Sequence, residues 1–437
     1  MRVCIAGGGG YLGTHLARRL QSDGIHTVLL DVAFTVQSNT ELDEQLTTRV
    51  TGSILDEKMV SEALSECESC FHIAAYGMSG MQYEEQPPLV SPEQGRTQTD
   101  NDTLREVGNE MPEYECDRDE PQPIKHPDKI QDVSLKNEAR SVSATQEFNE
   151  KMIYEINVNG TLQLLDCCKR MGVQRFVFAS SVSVIFTSKE LHCATEDYPY
   201  PNESEYVSAY CASKAMAERA VTAADCPSIR TCSLRLRGIY GPGEPRTVDR
   251  AAELIYRGLY VATFSQRSVA MTQYSGVHNV ADAMCRADKE LSRAQPRCAG
   301  KTYHVVDAEP VNSFLFWMPL ITALSRNPPS FRIPFFIIYF FAYLMEWIAV
   351  ILRIPPVMNR LEVNLVGITN TYSIERAMKD FDYKPTRNHD LTEIVEYYQK
   401  QYEANPKITI VDIQHFFKVI GVPAILLLSF AVAFLLF

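Results

Sequence analysis

The sequence has 437 residues, 46% of them hydrophobic, and a formal net charge of −12 at pH 7. This size suffices for one or two packed domains with an appendage. The acidic balance excludes nucleic acid as an expected partner, because binding of phosphates requires a basic face. The twelve cysteines show no regular framework, and we interpret them as buried free thiols in a reducing compartment, with no metal site expected.

The first 80 residues alternate short apolar strands with amphipathic helices. The predicted strands are Arg2–Ala6, Thr27–Asp31, Arg49–Thr51 and Cys70–Ala75, and the predicted helices are Tyr11–Ser22 and Asp56–Ser65. Alternation of this period implies an α/β fold, in which helices cover both faces of a parallel sheet.

A glycine-rich turn joins the first strand to the first helix. Its glycines Gly7, Gly10 and Gly13 allow a tight turn, a close approach of the backbone to a pyrophosphate and close contact of helix and sheet, respectively. The helix that begins with Tyr11 and Leu12 offers free backbone N–H groups to phosphates. The pattern predicts a dinucleotide-binding site in a Rossmann doubly wound parallel sheet.

An aspartate, Asp31, ends the second predicted strand. A carboxylate at this position accepts hydrogen bonds from the adenosine ribose hydroxyls and repels a 2′-phosphate. The prediction is therefore that the cofactor is NAD and not NADP. The alternative is that Asp31 only starts a turn.

The composition changes sharply over residues 81–149, which are rich in Glu, Asp, Gln, Asn, Ser and Pro and contain few aliphatic residues. Such a segment cannot bury enough apolar surface to offset the entropy lost on ordering. We interpret it as a disordered acidic insertion. Whether it has a regulatory role is left open.

The alternation resumes after the insertion. The next predicted helices and strands are Lys151–Met171, Arg175–Ala179, Ala209–Ala224 and Thr231–Leu236. We therefore assign residues 1–80 and 150–235 to the NAD-binding domain and residues 236–402 to a smaller, C-terminal substrate domain.

Three polar residues in this second half form a candidate catalytic set. Tyr210 and Lys214 are four residues apart, so they share one helix face. A phenol with a pKa near 10 is a poor base at neutral pH, and a nearby ammonium lowers that pKa. Ser181 ends the preceding strand, where its hydroxyl can hold a substrate oxygen near Tyr210, whereas Ser180 is interpreted as structural.

Two apolar segments indicate a membrane. Residues 419–437 are uncharged and long enough to span the bilayer core, which predicts a C-terminal transmembrane tail anchor. Residues 333–352 have a similar length, but Pro334 and Glu346 weaken a spanning interpretation. We favour a helix that lies in the membrane interface or lines an apolar substrate entrance, with a span and a buried core helix as alternatives.

Taken together, the motifs resemble the extended short-chain dehydrogenase/reductases, specifically the 3β-hydroxysteroid dehydrogenase branch and its family 42E. The resemblance covers most of residues 1–82 and 151–402, and it rests on the runs Gly7–Gly13, Phe71–Gly80, Asn157–Thr161, Ser180–Ser181, Tyr210–Lys214 and Gly238–Glu244.

The resemblance implies roles for individual residues. Ser181, Tyr210 and Lys214 would be the catalytic trio, and Asn157 would lie near the cofactor and support a proton relay. The remaining residues that it places near NAD are Ala74, Ala75 and Tyr240.

The resemblance also implies a function, namely NAD-dependent oxidation of a secondary alcohol, with the 3β-hydroxyl of a steroid or sterol as the expected substrate. The expected location is the membrane of the endoplasmic reticulum with the catalytic domain in the cytosol, and a homodimer is left open. A sterol-4-carboxylate 3-dehydrogenase is the nearest rival enzyme. The alternative outside this class is a non-catalytic, NAD-binding membrane protein.

Overall fold

The computed structural model describes residues 1–77, 150–267, 269–352 and 358–406 of the chain. The predicted insertion at 81–149 and the predicted anchor at 419–437 lie outside these residues. Among the helices that are described, none is both long and apolar enough to cross a membrane.

Fifteen strands are described, several of them only two residues long. In chain order they are β1 (Arg2–Ala6), β2 (His26–Asp31), β3 (Thr47–Thr51), β4 (Ser69–His72), β5 (Arg175–Ser181), β6 (Leu191–Ala194), β7 (Arg230–Leu236), β8 (Ile239–Tyr240), β9 (Ala262–Thr263), β10 (Met271–Thr272), β11 (Ser275–Gly276), β12 (Lys301–Val305), β13 (Val311–Asn312), β14 (Phe331–Arg332) and β15 (Asn370–Tyr372).

The helices vary from single turns to a long aromatic helix. In chain order they are α1 (Tyr11–Gln21), α2 (Val36–Thr40), α3 (Glu57–Leu64), α4 (Gly160–Arg170), α5 (Ala209–Ala223), α6 (Val248–Tyr256), α7 (Val277–Leu291), α8 (Met318–Ala323), α9 (Phe335–Leu352), α10 (Arg360–Gly367), α11 (Glu375–Phe381) and α12 (Thr392–Ala404). A π-helical turn, Glu155–Asn159, leads into α4.

The central sheet has seven parallel strands in the order β12-β7-β5-β4-β1-β2-β3. Because side chains alternate along a strand, Val3 and Ile5 of β1 join the core beneath α1 and α7. Cys4 and Ala6 point into the opposite core, which α3, α4 and α5 cover. The predicted doubly wound α/β fold is confirmed.

The second half of the chain forms a smaller unit beside this sheet. A four-stranded sheet has the order β13-β10-β15-β6, and α6, α8 and α12 pack together around a third, largely aromatic core that includes Trp317 and Tyr398. The predicted boundary after residue 235 does not follow the structure, because β12 pairs with β7 in the central sheet. The chain therefore returns to the NAD-binding half after it has entered the smaller unit.

The cysteines of the described ranges are all free, and most are buried. The hydrogen bond with Cys70, together with burial, raises the pKa of the Cys4 thiol, and burial raises the pKa of the Cys70 thiol. The interpretation as buried free thiols is confirmed for the described cysteines except Cys193, which is exposed, and Cys285, which is half-buried. In the same ranges no group of three or more His, Cys, Asp or Glu side chains is arranged to hold a metal ion.

One buried ion pair links α5 to the central sheet. Arg235 and Glu218 are almost fully buried, and the Arg235 Nη2 to Glu218 Oε1 distance is 2.8 Å. Arg235 Nε also donates to both carboxylate oxygens. Removal of one partner leaves an uncompensated charge in the core, which is far more destabilising than loss of a surface pair.

We expect Glu218→Ala to lower the free energy of unfolding by ~3–5 kcal/mol, because it leaves the buried Arg235 guanidinium without its counter-charge. Denaturant unfolding followed by circular dichroism measures this change. The control is Glu57→Ala, which removes the exposed pair with Arg170 and should cost no more than ~1 kcal/mol. Equal effects of the two substitutions would contradict the prediction.

Candidate active site

The predicted functional residues converge at one edge of the central sheet. Gly7 follows β1, Asp31 ends β2 and Ser181 ends β5. Because the seven strands of the central sheet are parallel, their carboxyl ends meet at this edge, where ligands of open α/β sheets bind.

The glycine loop is shaped by contacts that leave no room for side chains. Gly7 has a φ of +90°, and a Cβ atom there would lie 2.5 Å from the backbone nitrogen of Ala74. A Cβ on Gly13 would lie 2.4 Å from the Gly7 oxygen, and one on Gly9 would lie 2.1 Å from the Ala33 oxygen. Gly9 was missing from the predicted set, although it is as tightly enclosed as the other two.

Gly10 differs from these three glycines, because a Cβ there would meet no protein atom nearer than 3.7 Å. It caps the N-terminus of α1 without a side-chain hydrogen bond, and the first helical turn contains no acidic residue. The N–H groups of this turn, at Tyr11 and Leu12, therefore have no acidic side chain of their own turn as a partner. The arrangement fits a pyrophosphate bound against the backbone at Gly10.

Tyr11 and Leu12 contribute in different ways. The Leu12 side chain is buried in the core, so only its backbone faces the loop. The Tyr11 hydroxyl is buried with no hydrogen-bond partner among the residues described, and burial raises its pKa far above the ordinary value. It lies against Gly241, where a Cβ would approach it to 2.2 Å. An orphaned buried hydroxyl beside the phosphate-binding turn fits a bound dinucleotide.

Asp31 is locked against the glycine loop. Its Oδ2 accepts a hydrogen bond from the Gly9 N–H at 2.9 Å, and its Oδ1 accepts one from the Val32 N–H at 2.8 Å. Burial raises the pKa of the carboxyl group, and these backbone donors oppose that rise. The backbone N–H groups of Ala33 and Gly10 also interact with the carboxylate and lower its pKa. A carboxylate held at the end of β2 beside the glycine loop fits the predicted NAD preference.

The segment after β4 closes the other side of the cleft. The Ala74 N–H donates to the Ala6 oxygen at 2.9 Å, which holds Ala74 directly against Gly7. Ala75 follows it and is partly exposed. The structure therefore places both predicted alanines beside the glycine loop, as expected for residues next to the cofactor.

The predicted catalytic residues Ser181 and Tyr210 lie at the carboxyl end of β5. Tyr210 is buried, and burial raises the pKa of its hydroxyl to about 12, while a hydrogen bond with Ser181 and the positive charge of Arg246 oppose that rise. The Ser181 Oγ accepts hydrogen bonds from the Ser183 N–H at 3.2 Å and from the Ser183 hydroxyl at 2.9 Å. Ser181 and Tyr210 are thus brought together as predicted, and Ser183 orients the serine.

Lys214 lies on the same helix, but its amine is turned into the protein. The Nζ atom donates to the Ala179 oxygen at 2.6 Å and lies 4.2 Å from the centroid of the Phe178 ring. Burial lowers the pKa of Lys214 to about 7. The cation that acts on the Tyr210 hydroxyl in this structure is Arg246, so the predicted charge effect of Lys214 is not seen here.

Asn157 lies on the π-helical turn and has a structural task. Its Oδ1 accepts from the Tyr76 N–H at 2.7 Å, and its Nδ2 donates to the Tyr76 oxygen at 2.9 Å and to the Ser213 hydroxyl at 3.0 Å. These contacts tie the segment after β4 to α5. Asn157 therefore positions the neighbours of the cleft, and its amide is not directed to Tyr210.

The Tyr240 hydroxyl is engaged within the protein. It donates to the Asp307 Oδ2 at 2.5 Å, and the Tyr240 ring is buried in the third core beside Phe316. Burial and the Asp307 charge raise its pKa. That the segment around Tyr240 approaches the cofactor stays a prediction.

Two further residues of the site, Ser183 and Arg246, were not predicted from the sequence. Ser183 could have been suggested by its spacing from Ser181, but that pattern is common at strand ends. Arg246 lies in a loop that Glu244 shapes, because the Glu244 carboxylate accepts from the backbone N–H groups of Arg246, Thr247 and Val248 at 2.7–3.1 Å. An acidic residue before a helix is a capping signal, but it gives no indication that an arginine beside it faces Tyr210.

A cavity of about 450 Å³ opens beside α9. Its wall includes Ser188, which follows the catalytic serine segment, and five aromatic residues of α9: Phe335, Phe336, Tyr339, Phe340 and Tyr343. This volume lies within the roughly 300–1,000 Å³ typical of small-molecule sites. The lining is suited to an apolar ligand.

Comparison with known proteins identifies the family. The model of the 3-beta hydroxysteroid dehydrogenase/isomerase family matches residues 96–335, more than half of the chain. The model of the NAD dependent epimerase/dehydratase family matches residues 3–90. The chain belongs to the 3-beta hydroxysteroid dehydrogenase/isomerase family. It is an oxidoreductase that acts on CH–OH groups, with NAD as the cofactor.

Individual relatives agree with this assignment. Caenorhabditis elegans 3beta-hydroxysteroid dehydrogenase/Delta(5)-Delta(4) isomerase 1 is 39% identical over 251 residues, which are 57% of this chain and 54% of the worm protein. Short-chain dehydrogenase/reductase family 42E member 1 of Danio rerio is 28% identical over 407 residues, 90% of this chain and 87% of that protein. Mus musculus sterol-4-alpha-carboxylate 3-dehydrogenase, decarboxylating, is 28% identical over 54% of this chain and 66% of its own length.

Solved structures agree on the fold. The UDP-glucose 4-epimerase of Thermotoga maritima, crystallised with UDP-glucose, superposes with a TM-score of 0.59 at 16% identity and covers 92% of this chain and 99% of its own. Likeness at this identity concerns the fold alone. The predicted membership of the extended short-chain dehydrogenase/reductases, with a resemblance to family 42E, is confirmed.

The glycine loop provides a test of the NAD site that separates binding from folding. We expect Gly10→Ala to weaken NAD binding by ~10-fold or more, because the new methyl group occupies space that the protein leaves open for the cofactor. Calorimetric titration with NAD measures this loss. The melting temperature without NAD should stay unchanged, since the φ of −82° at Gly10 suits alanine.

Gly13→Ala is the contrasting variant, because its methyl group would collide with the Gly7 backbone. It should lower the free energy of unfolding by ~1–3 kcal/mol, as overpacking does, and the melting temperature should fall accordingly. Unchanged NAD affinity in Gly10→Ala would show that the cofactor does not approach this loop.

Proposed function

We propose that the protein catalyses NAD-dependent oxidation of the 3β-hydroxyl group of a steroid or sterol. The observation that carries this proposal is the pairing of Ser181 with Tyr210 at the carboxyl end of β5, on the same sheet edge as the glycine loop. A hydroxyl pair in this position can bind an alcohol oxygen and remove its proton. NAD, when bound, supplies the acceptor for the two electrons and the hydrogen of the carbinol carbon.

Different residues of the chain would bind the substrate oxygen, accept its proton and stabilise the resulting phenolate. Ser183 donates to the Ser181 hydroxyl, so the Ser181 proton is directed elsewhere. In this structure it serves the Tyr210 oxygen, and in the complex it would serve the substrate oxygen. Tyr210 takes the alcohol proton as its general base. Arg246 favours the phenolate, since its charge lowers the pKa of Tyr210, whereas the buried Lys214 amine fixes the end of β5 through the Ala179 carbonyl.

The cavity beside α9 supports a lipophilic substrate, because its wall is dominated by aromatic rings. The apolar run at 419–437 supports a membrane location. On these grounds, and on the family resemblance, we place the protein at the endoplasmic reticulum membrane with its catalytic domain in the cytosol.

The deciding experiment is NADH formation by membranes that contain the full-length protein, over a panel of 3β-hydroxysteroids and sterols. We expect turnover on at least one panel member, and we expect Tyr210→Phe to lower kcat by ~10²–10⁴-fold because the general base is lost. NAD affinity should be retained in this variant. Absorbance at the NADH band measures the rate.

The matched control is Tyr397→Phe, which removes a phenol from an exposed surface position and should leave the rate unchanged. Turnover that survives in Tyr210→Phe would overturn the assigned chemistry. NAD binding without turnover on any panel member would favour the non-catalytic NAD-binding alternative.

A sterol 4-carboxylate is a second candidate substrate, and Arg246 favours it. The guanidinium is half-buried and acts on the Tyr210 hydroxyl. Its charge also acts on the Glu244 carboxylate, but its side chain has no hydrogen-bond acceptor among the residues described. A carboxylate beside the 3-hydroxyl of a substrate would provide that acceptor. The mouse relative is named as an enzyme of this type.

We expect Arg246→Met to lower kcat/KM for a 4-carboxysterol ~10–100-fold more than for the same sterol without the carboxylate, because only the former loses a charge-assisted hydrogen bond. Parallel kinetics on the two substrates measure the ratio. Arg246→Lys should restore part of the selectivity, since it restores the charge. An equal loss on both substrates would leave the neutral 3β-hydroxysteroid as the substrate class.

A further inference from the structure

The residue that follows Tyr210 on α5 carries a thiol that contacts the turn after β5. Cys211 is fully buried and forms a side-chain hydrogen bond with Ser183, which in turn donates to Ser181. On its other side the Cys211 sulfur lies 3.2 Å from the Ser208 hydroxyl oxygen. The thiol therefore joins the start of α5 to the end of β5, beside Tyr210.

Ser208 fixes the thiol because it caps the N-terminus of α5. Its hydroxyl oxygen accepts a hydrogen bond from the Cys211 backbone N–H at 3.4 Å, so the first helical turn holds this hydroxyl against the Cys211 side chain. The cap uses the oxygen of Ser208 and not its proton. The Ser208 proton is therefore available for the Cys211 sulfur.

At the other end, Ser181 accepts hydrogen bonds from both polar groups of Ser183. The Ser181 Oγ lies 3.2 Å from the Ser183 backbone nitrogen and 2.9 Å from the Ser183 Oγ. A hydroxyl oxygen has two lone pairs, and both are used here. In its hydrogen bond with Tyr210, Ser181 is therefore the donor, and its proton is directed at the phenol oxygen.

The number of available protons fixes the direction of the whole chain of hydrogen bonds. Each hydroxyl or thiol has one proton to donate. Ser183 donates its proton to Ser181, so the thiol is the donor in the hydrogen bond between Cys211 and Ser183. The Ser208 hydroxyl then donates to the sulfur. Every bond of the chain points toward Tyr210, and hydrogen bonds aligned in this way polarise and strengthen one another.

The competing interpretation of Cys211 is packing, because the residue belongs to the core that also contains Val177 and Leu234. A packing role requires volume and no hydrogen bond. The sulfur, however, meets the hydroxyls of Ser208 and Ser183, and each of them would lose a hydrogen bond to a hydrocarbon side chain. These polar neighbours favour a role in the hydrogen-bond chain.

We propose that Cys211 is a positioning residue for the oxidation: its thiol holds Ser183 in the orientation that directs the Ser181 proton toward the oxygen of Tyr210 or, in the complex, of the substrate. The effect of Cys211 on turnover rests on the proposed function. The hydrogen-bond chain itself does not, so the two are tested by separate measurements.

Two substitutions separate hydrogen bonding from packing. Cys211→Val keeps an apolar side chain of similar volume that neither donates nor accepts, whereas Cys211→Ser keeps both capacities in a smaller side chain. We expect Cys211→Val to lower kcat ~3–10-fold, as loss of one hydrogen bond does, and Cys211→Ser to retain kcat within twofold. The opposite order of the two variants would assign Cys211 to packing and overturn the proposal.

The pH profile is a readout that a packing role would not move. The hydrogen bond with Ser181 lowers the pKa of Tyr210, and a general base acts only when it is deprotonated. Without this bond the base holds its proton more tightly, so the rising limb of kcat/KM should move ~0.5–1 pH unit to higher pH in Cys211→Val. Cys211→Ser should keep the wild-type profile.

Ser183→Ala breaks the same chain one step nearer to Ser181, and it carries the kinetic test if Cys211→Val does not fold. We expect the same shift of the pH profile in Ser183→Ala, and no further shift when it is combined with Cys211→Val, because residues of one chain act as a unit. Additive shifts would contradict the proposal.

The matched control is Cys226→Val. It removes another buried thiol, one whose sulfur lies 3.1 Å from the hydroxyl oxygen of Ser228. Neither kcat nor the pH profile should change in this variant. A shift of the profile as large as that of Cys211→Val would overturn the proposal, since any buried thiol would then have the same effect.

The infrared S–H stretching band tests the chain in the resting full-length protein without turnover. The difference spectrum between wild type and Cys211→Ser isolates the Cys211 band. We expect this band at a lower frequency than that of a free thiol, and we expect Ser183→Ala to raise its frequency, because the acceptor of the thiol proton is lost. A band that does not respond to Ser183→Ala would overturn the proposal. Absence of turnover, with the band as expected, would count against the proposed function and not against the chain.

Discussion

The structure depends on the close approach of two backbone segments, at Gly7 and at Ala74. The Gly7 turn has a positive φ and packs so tightly on Ala74 that no side chain fits between them. This contact sets the position from which α1 begins, so the helix N-terminus points across the sheet edge. It also presents the Gly9 N–H to Asp31, which fixes the carboxylate at the place where a ribose would lie. One steric constraint thus positions the parts of the site that correspond to the pyrophosphate and the adenosine ribose.

Burial and a few polar neighbours set the pKa of Tyr210 at the carboxyl end of β5. Burial alone would make Tyr210 a poor base, since it raises the pKa of the phenol. The Ser181 hydrogen bond and the Arg246 charge act in the opposite direction. Both groups are held by neighbours, namely Ser183 for the serine and the Glu244 carboxylate for the arginine loop. The surrounding protein therefore sets the pKa of Tyr210 before any substrate binds, as the proposed role of a general base requires.

The sequence predicts the parts of the molecule that depend on local patterns. The strand–helix alternation identifies the sheet, and the glycine spacing identifies the dinucleotide loop, because each is a property of consecutive residues. Contacts between distant segments are different. Three features depend on tertiary packing. Lys214 donates to the Ala179 oxygen, Tyr240 donates to Asp307, and β12 returns to the central sheet. Arg246 belongs to the same class, since nothing in its neighbouring residues indicates that it faces Tyr210.

Arg246 and the cavity beside α9 place different demands on the proposed substrate. The aromatic wall of the cavity favours a molecule with a large apolar body. The half-buried Arg246 guanidinium would gain a charge-assisted hydrogen bond from a carboxylate on that molecule. A neutral steroid would meet only the first demand, whereas a sterol acid would meet both. Arg246 is not among the residues that line the cavity, so the choice between the two candidate substrates depends on a charge outside the cavity wall and not on the wall itself.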